Sequence, residues 1–314
     1  MNVDVYTLCW NEMAILPFVI ETWKKFARHV YVFDNGSTDG SIEFLKKYDW
    51  ITVEPFGNDT EKSNKQNRNI KNTKWKGSDA DYVVVCDLDE CHVGKDVIKA
   101  LEDCKKKGAT IVEIEWYNFV NPEKEMPQYE EGKTLYEICP YGAYVNTPKT
   151  LIFDPQKITD MNYTVGAHHC SPRGVVKRCK PEGLYVHHIN NALCLDYRLK
   201  RYEIQNARLS QEDRRRGWGC YYGRNEAKIS KDYNDELKKK IDFRKLLEGD
   251  INNIPTNAYH STPSHTKNTQ SVPSDTNLKH ENRKFKTSHK QTSRKTVHSI
   301  YRHNTRRRVG RPLI

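Results

Sequence analysis

No long hydrophobic run occurs in this sequence, and none approaches the ~18 apolar residues that a membrane-spanning helix needs. The chain opens directly on the alternating segment 1–9, without the basic and apolar regions of a signal peptide. Paired cysteine spacing is also missing: the nine cysteines are an odd number, and several lie in apolar runs such as Val83–Cys86, which indicates reduced thiols. We therefore expect a cytoplasmic protein with no signal peptide, no transmembrane segment and no disulfide framework.

The first 250 residues carry no formal net charge. Of the 52 basic and 41 acidic side chains, 13 and 2 lie in residues 251–314, so the first 250 residues hold 39 of each. This balance argues against a domain-wide nucleic-acid surface. Residues 251–314 have hardly any aliphatic side chains, which predicts a disordered basic tail. Its Arg-rich end, 306–312, is compatible with weak contact to nucleic acid or another anionic surface, and equally with a solvated tail of no specific function.

Strand-like and helix-like segments alternate through the first 120 residues, which is typical of an α/β domain with a mostly parallel central sheet flanked by helices. The predicted strands are Val3–Cys9, Val30–Phe33, Ile51–Glu54, Tyr82–Cys86 and Thr110–Glu115. Helical spacing of apolar residues predicts helices over Met13–Ala27, Ser41–Tyr48, Val97–Cys104, Leu195–Leu209 and Tyr233–Leu247. We expect one folded domain over residues 1–250, followed by the tail.

The segment from Asp81 to Glu90 is an apolar strand that ends in two carboxylates, Asp87 and Asp89, spaced i, i+2. Such a pair can hold a divalent cation through oxygen ligands and leave positions for phosphate and water. An isolated pair is more often a solvated acidic turn. Here a buried strand delivers both carboxylates to the sheet edge where other loops with ligand-like sequences converge, which favours a binding site.

One interpretation makes Asp87 a phosphorylated nucleophile and Asp89 an acid/base, because a hydrophobic strand followed by D-L-D-E resembles the first motif of haloacid dehalogenase-like phosphatases. Against it, the motif lies well inside the chain, and Cys91 stands where that family has a hydroxyl residue. No later strand ends in the second acidic cluster of that family.

A second interpretation uses the whole N-terminal half. Thr7-Leu-Cys-Trp-Asn-Glu12, Val30-Tyr-Val-Phe-Asp-Asn-Gly-Ser-Thr-Asp-Gly-Ser41 and Asp87-Leu-Asp-Glu90 together resemble the family 2-like glycosyltransferases of the GT-A fold, in the branch with a D-x-D-E motif. The order and approximate spacing of all three motifs match. The resemblance implies a nucleotide-sugar-binding half over residues 1–120, and an acceptor-side half with C-terminal helices over residues 121–250.

The resemblance also implies where a UDP- or GDP-sugar donor binds. Its base and ribose would contact the ends of the first two strands. The rest of the donor would contact Asp87 and the polar stretch before the D-x-D strand. The implied donor residues are Thr7, Leu8, Asn11, Glu12, Asp34, Asn35, Lys65, Arg68 and Asp87. Asp34 has an alternative role as the residue that opens an Asp-Asn-Gly turn. For Lys65 and Arg68, the alternative is that both lie on a solvated helix face.

A cation, Mn²⁺ or Mg²⁺, is implied in the same way, held by Asp87 and Asp89 and neutralising the departing diphosphate. Enzymes of this fold often add a downstream histidine, and two histidine doublets occur at 168–169 and 187–188. His168 is the predicted third ligand and His187 the alternative. A structural role for each histidine is the other interpretation.

Transfer to an acceptor hydroxyl also needs a base within hydrogen-bond reach. Glu113 and Glu115 alternate on a predicted strand that leads into Trp116 and Tyr117, whose rings suit stacking on an acceptor sugar. Glu115 is the candidate from this pair, and exposure of both carboxylates is the other interpretation. His169 and Asp154 are the other candidates.

The sequence thus predicts a metal-dependent glycosyltransferase in which Asp89 is catalytic and the acceptor is a glycan, lipid or protein hydroxyl, with a glycan-type acceptor expected. The alternatives are the phosphatase and a non-catalytic module that binds sugars or nucleotides.

Overall fold

The computed structural model describes residues 1–57, 61–146 and 149–248. The predicted disordered tail, residues 251–314, lies outside the described residues. The strands are β1 Val3–Cys9, β2 His29–Asp34, β3 Ile51–Pro55, β4 Tyr82–Asp87, β5 Glu90–Gly94, β6 Ile111–Val112, β7 Glu115–Phe119, β8 Tyr141–Val145, β9 Ile152–Phe153, β10 Ile158–Asp160, β11 Arg173–Gly174, β12 Arg178–Cys179, β13 Leu184–His188 and β14 Ile241–Asp242.

The α-helices are α1 Leu16–Trp23, α2 Ser41–Leu45, α3 Asn64–Thr73, α4 Val97–Lys106, α5 Leu135–Ile138, α6 Leu195–Ala207, α7 Gln211–Arg216, α8 Glu226–Lys238 and α9 Phe243–Glu248. Two 3-10 helices cover Val165–Ala167 and Cys220–Gly223. No helix within the described residues is long and apolar enough to cross a membrane.

A seven-stranded sheet in the order β12-β6-β9-β4-β1-β2-β3 forms the centre of the domain. Strands β4, β1, β2 and β3 are parallel neighbours, and β9 runs antiparallel between β4 and β6. The central strands are buried because helices cover the sheet, and their sequences are nearly continuous apolar runs, as in Val83–Cys86. The predicted α/β class with a mixed, mostly parallel central sheet is confirmed.

A second sheet of five strands, in the order β14-β8-β7-β13-β5, packs beside the first. The D-x-D segment connects the two sheets, because β4 ends at Asp87 and β5 begins at Glu90. Asp89 therefore lies in a short turn between two strands that belong to different sheets. This turn, together with the carboxyl ends of β1 and β2, borders the cleft described below.

Two predicted elements are wrong. The strand expected over Thr110–Glu115 is divided into β6 and β7, which belong to different sheets, because the chain leaves the central sheet at Glu113. The helix expected over Tyr233–Leu247 is also divided. Helix α8 ends at Lys238, β14 pairs with β8, and α9 begins at the fully buried Phe243.

Candidate active site

A cleft of about 420 Å³ opens at the carboxyl ends of β1 and β4. Its walls come from segments far apart in sequence: the β1 loop, helix α3, the D-x-D turn, the end of β13, helix α6 and the 3-10 helix at 220–223. This is the edge where ligands bind in open α/β sheets. The sequence prediction that polar side chains converge at this edge is therefore reproduced in the structure.

Asp87 lies at the floor of the cleft between two lysines. Its Oδ1 accepts a hydrogen bond from Lys71 Nζ at 2.6 Å, and its Oδ2 accepts one from Lys149 Nζ at 3.1 Å. Lys149 also donates to Glu90, whose other oxygen accepts the backbone N–H of Asp87 at 2.8 Å. Burial acts to raise the pKa of Asp87, but the two ammonium groups outweigh it and hold that pKa well below its usual range.

Asp89 lies beside His188, and both side chains line the cleft. Asp89 Oδ2 lies 3.4 Å from His188 Nε2, and His188 Nδ1 lies 3.1 Å from Asn118 Oδ1. Asn118 donates its amide N–H to Glu236, so its oxygen is directed at the imidazole and Nδ1 is the donor. His188 Nε2 then faces a carboxylate, and a proton or a cation is needed between them. Burial acts to lower the pKa of His188, but Asp89 outweighs it and raises that pKa.

The β1 loop is joined to helix α6 by an ion pair. Arg201 donates to Glu12 at 2.5 Å and to the backbone carbonyl of Asn11 at 2.9 Å. Burial raises the pKa of Glu12 to about 7, and the charge of Arg201 offsets only part of that effect. Because Glu12 and Arg201 both line the cleft, this pair fixes the position of α6 relative to β1.

One end of the cleft is formed by Trp10, Asn35 and Arg208. The guanidinium of Arg208 lies 3.3 Å from the centre of the Trp10 ring and donates to Asn35 Oδ1 at 2.9 Å. Stacked planar groups of this kind offer a flat surface to a second ring. The arrangement is thus suited to one end of an elongated, partly aromatic ligand.

Asp34 opens an Asp-Asn-Gly turn, which was the alternative interpretation of this residue. Its Oδ2 accepts the backbone N–H groups of Gly36 and Ser37, both at 2.9 Å, and its Oδ1 accepts the Ser37 hydroxyl at 2.5 Å. Asp34 itself is buried and does not line the cleft, whereas its neighbour Asn35 does. Asp34 shapes the loop that presents Asn35.

Eight of the predicted site residues line the cleft: Leu8, Glu12, Asn35, Arg68, Asp87, Asp89, Trp116 and His168. Seven do not: Thr7, Asn11, Asp34, Lys65, Glu115, Tyr117 and His169. Thr7 is buried within β1, and Lys65 is exposed on α3. Asn11 adopts a positive φ of 50° and accepts the backbone N–H of Thr38, so it braces two loops.

The acceptor prediction for Tyr117 is wrong, because side chains alternate along β7. Trp116 faces the cleft, whereas Tyr117 packs in the core against Phe243, with ring centres 5.3 Å apart. Glu115 also faces away from the cleft and pairs with Lys180 at 2.6 Å, so the structure does not support its role as a base. Asp154 is buried in an ion pair with Lys105 outside the cleft.

The positions of the four histidines in the two doublets differ from the predicted metal site. His187, the alternative metal ligand, stacks on Phe243 in the core, and burial lowers its pKa to about 4. His188, which the sequence analysis did not select, is the one beside Asp89. His168 lines the cleft, and His169 is exposed, with its backbone bonded to Thr164.

Other functional side chains were also missed. Two of them follow a helical stripe that was available in the sequence: Arg201 and Arg208 lie on the cleft side of α6 and just beyond its end, with Gln205 between them. Lys71 continues the stripe of Asn67 and Arg68 on α3 at spacing i, i+3 and i+4. Lys149 and Tyr221 gave no local signal.

Asp89 and His188 form the donor set that fits a divalent cation. A carboxylate and an imidazole suit Mn²⁺, and both face the cleft. No group of three histidine, cysteine, aspartate or glutamate side chains placed to hold a metal occurs within residues 1–57, 61–146 and 149–248. Further ligands would therefore have to come from substrate oxygens and water.

Comparison with known proteins gives one family. The model described as Glycosyl transferase family 2 matches residues 4–173. No curated protein sequence matches this chain.

Several solved structures are similar to it at low identity. S. aureus TarS 1-349 is 17% identical, with a TM-score of 0.33, over 49% of this chain and 47% of that chain. The same segment in complex with UDP-GlcNAc is 19% identical, with a TM-score of 0.31, over 41% and 37%. S. aureus TarS is 14% identical, with a TM-score of 0.38, over 68% and 41%. The matches thus span less than half the length of each of these chains.

Proposed function

This chain belongs to glycosyl transferase family 2, and from that premise we propose that it transfers a sugar from a nucleoside diphosphate to an acceptor hydroxyl. The observation that carries the proposal is the cleft itself, in which Asp89 and His188 stand opposite basic side chains at the carboxyl ends of β1 and β4. Family membership favours this transferase over the phosphatase that Asp87 alone suggested.

The basic side chains of the cleft supply charge for a diphosphate. Lys62 and Arg68 line the cleft, and neither forms an ion pair with a carboxylate in the part of the chain that the structure describes. Among the described residues, the hydrogen-bond partners of Lys62 Nζ are neutral: Gln205 at 3.3 Å and the Tyr222 hydroxyl at 3.4 Å. Positive charge held in place before the reaction stabilises negative charge that develops on a leaving group.

A divalent cation, Mn²⁺ or Mg²⁺, would be held by Asp89 and His188. When bound, it would supply Lewis-acid stabilisation to the departing diphosphate. The chain's own contribution is to orient the two ligands: Asn118 fixes the imidazole ring, and the D-x-D turn fixes the carboxylate.

The nucleoside is proposed to lie at the end formed by Leu8, Trp10 and Asn35, beside Arg208. The acceptor is proposed to be a glycan. In place of Tyr117, the exposed aromatic ring proposed to contact it is Tyr221, which lines the cleft and is 43% exposed, whereas Trp116 lines the cleft but is only 4% exposed. Exposed rings in a cleft suit the apolar faces of sugars.

Calorimetric titration tests the donor site. The full chain is titrated with UDP and with GDP, each with and without Mn²⁺, and compared with Asp89→Asn, His188→Gln and the control Asp103→Asn. Asp103 is an exposed carboxylate on α4, outside the cleft. We expect Mn²⁺-dependent binding of one diphosphate, weakened at least about tenfold in the first two variants and retained in the control.

Release of the same nucleoside diphosphate from its sugar conjugates then separates an enzyme from a binding module. Turnover that falls in Asp89→Asn supports the transferase. Tight diphosphate binding with no turnover of UDP- or GDP-sugars, even with sugar acceptors present, would favour the non-catalytic module. Equal binding by the wild type and Asp89→Asn would contradict the proposed site.

A further inference from the structure

Two cysteines that lie 75 positions apart in the chain meet at one edge of the central sheet. Cys104 lies near the end of α4, and Cys179 is the second residue of the edge strand β12. The Cys104 thiol donates a hydrogen bond to Cys179 Sγ, and the two sulfur atoms are 3.0 Å apart. A disulfide bond is about 2.05 Å long, so the two sulfur atoms are within about 1 Å of bonding distance. Both thiols are free in this structure.

The connection from α4 to β7 fixes the backbone at both cysteines. The carbonyl of Cys104 accepts the N–H of Ala109 at 3.0 Å, and the carbonyl of Cys179 accepts the N–H of Glu113 at 2.8 Å. Because these bonds hold both main chains in place, the two sulfur atoms stay close together in the folded protein. Sequence spacing gave no sign of this pair, because the fold alone brings the two positions together.

The two thiols differ in their access to solvent. Cys104 is 1% exposed, and burial, together with the contact to Cys179, raises its pKa to about 12. Cys179 is partly exposed, so an oxidant in solution reaches it first. Lys107 and Lys177, which are exposed and lie close to the two cysteines in the sequence, favour the approach of an anionic oxidant such as glutathione disulfide.

We propose that Cys104 and Cys179 form a thiol-oxidation site, which a low-molecular-weight disulfide such as glutathione disulfide converts to an intramolecular disulfide bond. The Cys179 thiolate attacks one sulfur of glutathione disulfide, forms a mixed disulfide and releases one glutathione. The Cys104 thiolate then attacks the Cys179 sulfur and releases the second glutathione. The two cysteine protons pass through water to the two glutathione thiolates, so the cysteines lose two electrons and glutathione disulfide gains them.

The bond would fasten a weakly held edge of the sheet. Strand β12 has only two residues, and nearly every position of residues 171–180 is exposed. Segments of this kind open locally at a low cost in free energy. Neither cysteine lines the cleft, so this inference does not depend on the proposed function. We expect the oxidised and reduced proteins to bind a diphosphate equally.

Peptide mapping identifies the bond. The full chain is incubated with glutathione disulfide, denatured, alkylated and digested without reductant for mass spectrometry. We expect a cross-linked pair of peptides that joins Cys104 to Cys179 and separates when reductant is added. Alkylation of both cysteines after oxidation of the folded wild type would overturn the proposal, and so would a bond from either of them to a different cysteine.

Three variants separate the two chemical steps. Cys104→Ser should stop at the mixed disulfide, with glutathione on Cys179, whereas in Cys179→Ser the buried Cys104 should stay free. Cys220→Ser is the matched control, because Cys220 is exposed and lies outside the pair, and it should form the bond as the wild type does. Glutathione on Cys104 in preference to Cys179 would contradict the order of attack. The wild-type map needs no substitution, so it decides the proposal even if a variant does not fold.

Thermal unfolding measures whether the folded protein accommodates the bond. A cross-link between residues 75 positions apart lowers the entropy of the unfolded chain, so the oxidised wild type should have a higher midpoint than the reduced one. Reductant should reverse the shift, and Cys179→Ser should have one midpoint under both conditions. A lower midpoint for the cross-linked wild type would contradict the inference that the fold places the two sulfurs for bonding.

Limited digestion with trypsin measures the effect on β12. Lys177 and Arg178 are exposed cleavage sites next to Cys179, whereas Lys47 is an exposed site beyond α2. Oxidation should slow cleavage at the first two sites, because cutting requires the edge strand to open, and should leave cleavage at Lys47 unchanged. Equal rates for the oxidised and reduced proteins at Lys177 and Arg178 would contradict the fastening of this edge.

Discussion

His92 is a histidine on β5 that is buried in the core beside Phe26. Burial lowers its pKa to about 4 from 6.5, and the backbone of Glu90 offsets this only in part. Between these two values the unfolded chain binds a proton that the folded chain does not, so stability is lost as the pH falls from about 6.5 towards 4. The slope for one such group is about 1.4 kcal/mol per pH unit.

We expect His92→Leu to remove this part of the acid sensitivity. The measurement is the free energy of unfolding in urea at pH 7 and pH 5 for the wild type and the variant. The difference between the two proteins should shift in favour of His92→Leu at pH 5. A difference that is the same at both pH values would show that His92 does not titrate in this way.

Asp34 shows at a single residue why the sequence left two roles open. A nucleoside contact and an Asp-Asn-Gly turn both use the same carboxylate oxygens, and only the geometry separates them. The structure directs those oxygens to the backbone N–H groups of Gly36 and Ser37. The pair Glu12 and Asp89 was easier to predict, because strand ends alone bring both to the cleft.

Replacing Asp34 should therefore affect folding. Asp34→Ala leaves the two backbone N–H groups and the Ser37 hydroxyl without an acceptor in a buried turn, at a cost of about 1–3 kcal/mol. Asp34→Asn keeps one acceptor oxygen and should lose less. Urea unfolding of both variants measures this order. Equal stability of Asp34→Ala and the wild type, with diphosphate binding lost, would return Asp34 to the nucleoside site.

At the scale of elements, helix α8 reaches the cleft through a chain of side chains. Glu236 on α8 accepts from Arg198 at 2.7 Å and from Asn118 on β7 at 3.0 Å, and Asn118 in turn holds His188 on β13. Outer partners of this kind orient a metal-binding histidine, and their loss typically weakens metal affinity 10- to 100-fold.

Asn118→Leu should accordingly lower Mn²⁺ affinity by about tenfold, with Asp89 and His188 both intact. Glu236→Gln, which keeps an acceptor oxygen for the Asn118 amide, is the matched control and should lose less. The titration of free Mn²⁺ with each protein measures both. If Asn118→Leu binds Mn²⁺ as the wild type does, the imidazole is oriented by other contacts.

The sequence predicted well those strands that are buried on both faces of the sheet. Strand β4 is covered on both faces, so its apolar run identifies it directly. Strands β6 and β12 are only two residues long, and β13 is parallel to β7 but antiparallel to β5. Such short or mixed pairings depend on distant partners, which local periodicity does not contain. His188 was missed for the same reason, because the register of β13 decides which histidine of the doublet faces Asp89.

At the scale of the whole molecule, charge is divided along the chain. The first 250 residues hold equal numbers of basic and acidic side chains, whereas residues 251–314 carry the entire excess of +11. This excess in residues 251–314 has no counterpart in the first 250 residues, whose charges balance, and it makes the tail the part of the sequence suited to polyanions.

Deleting residues 251–314 should therefore remove polyanion binding and leave folding and diphosphate binding intact. The shortened chain should keep the thermal midpoint and the diphosphate affinity of the full chain, because every cleft residue precedes position 223. It should lose retention on heparin, which for the full chain should fall steeply as salt rises, since basic residues bind a polyanion by releasing its counterions. Chromatography of both proteins over a salt gradient, beside calorimetry with UDP and GDP, measures each property. Retention that survives the deletion would place the polyanion contact on the cleft itself, where Lys62 and Arg68 are the basic side chains available to it.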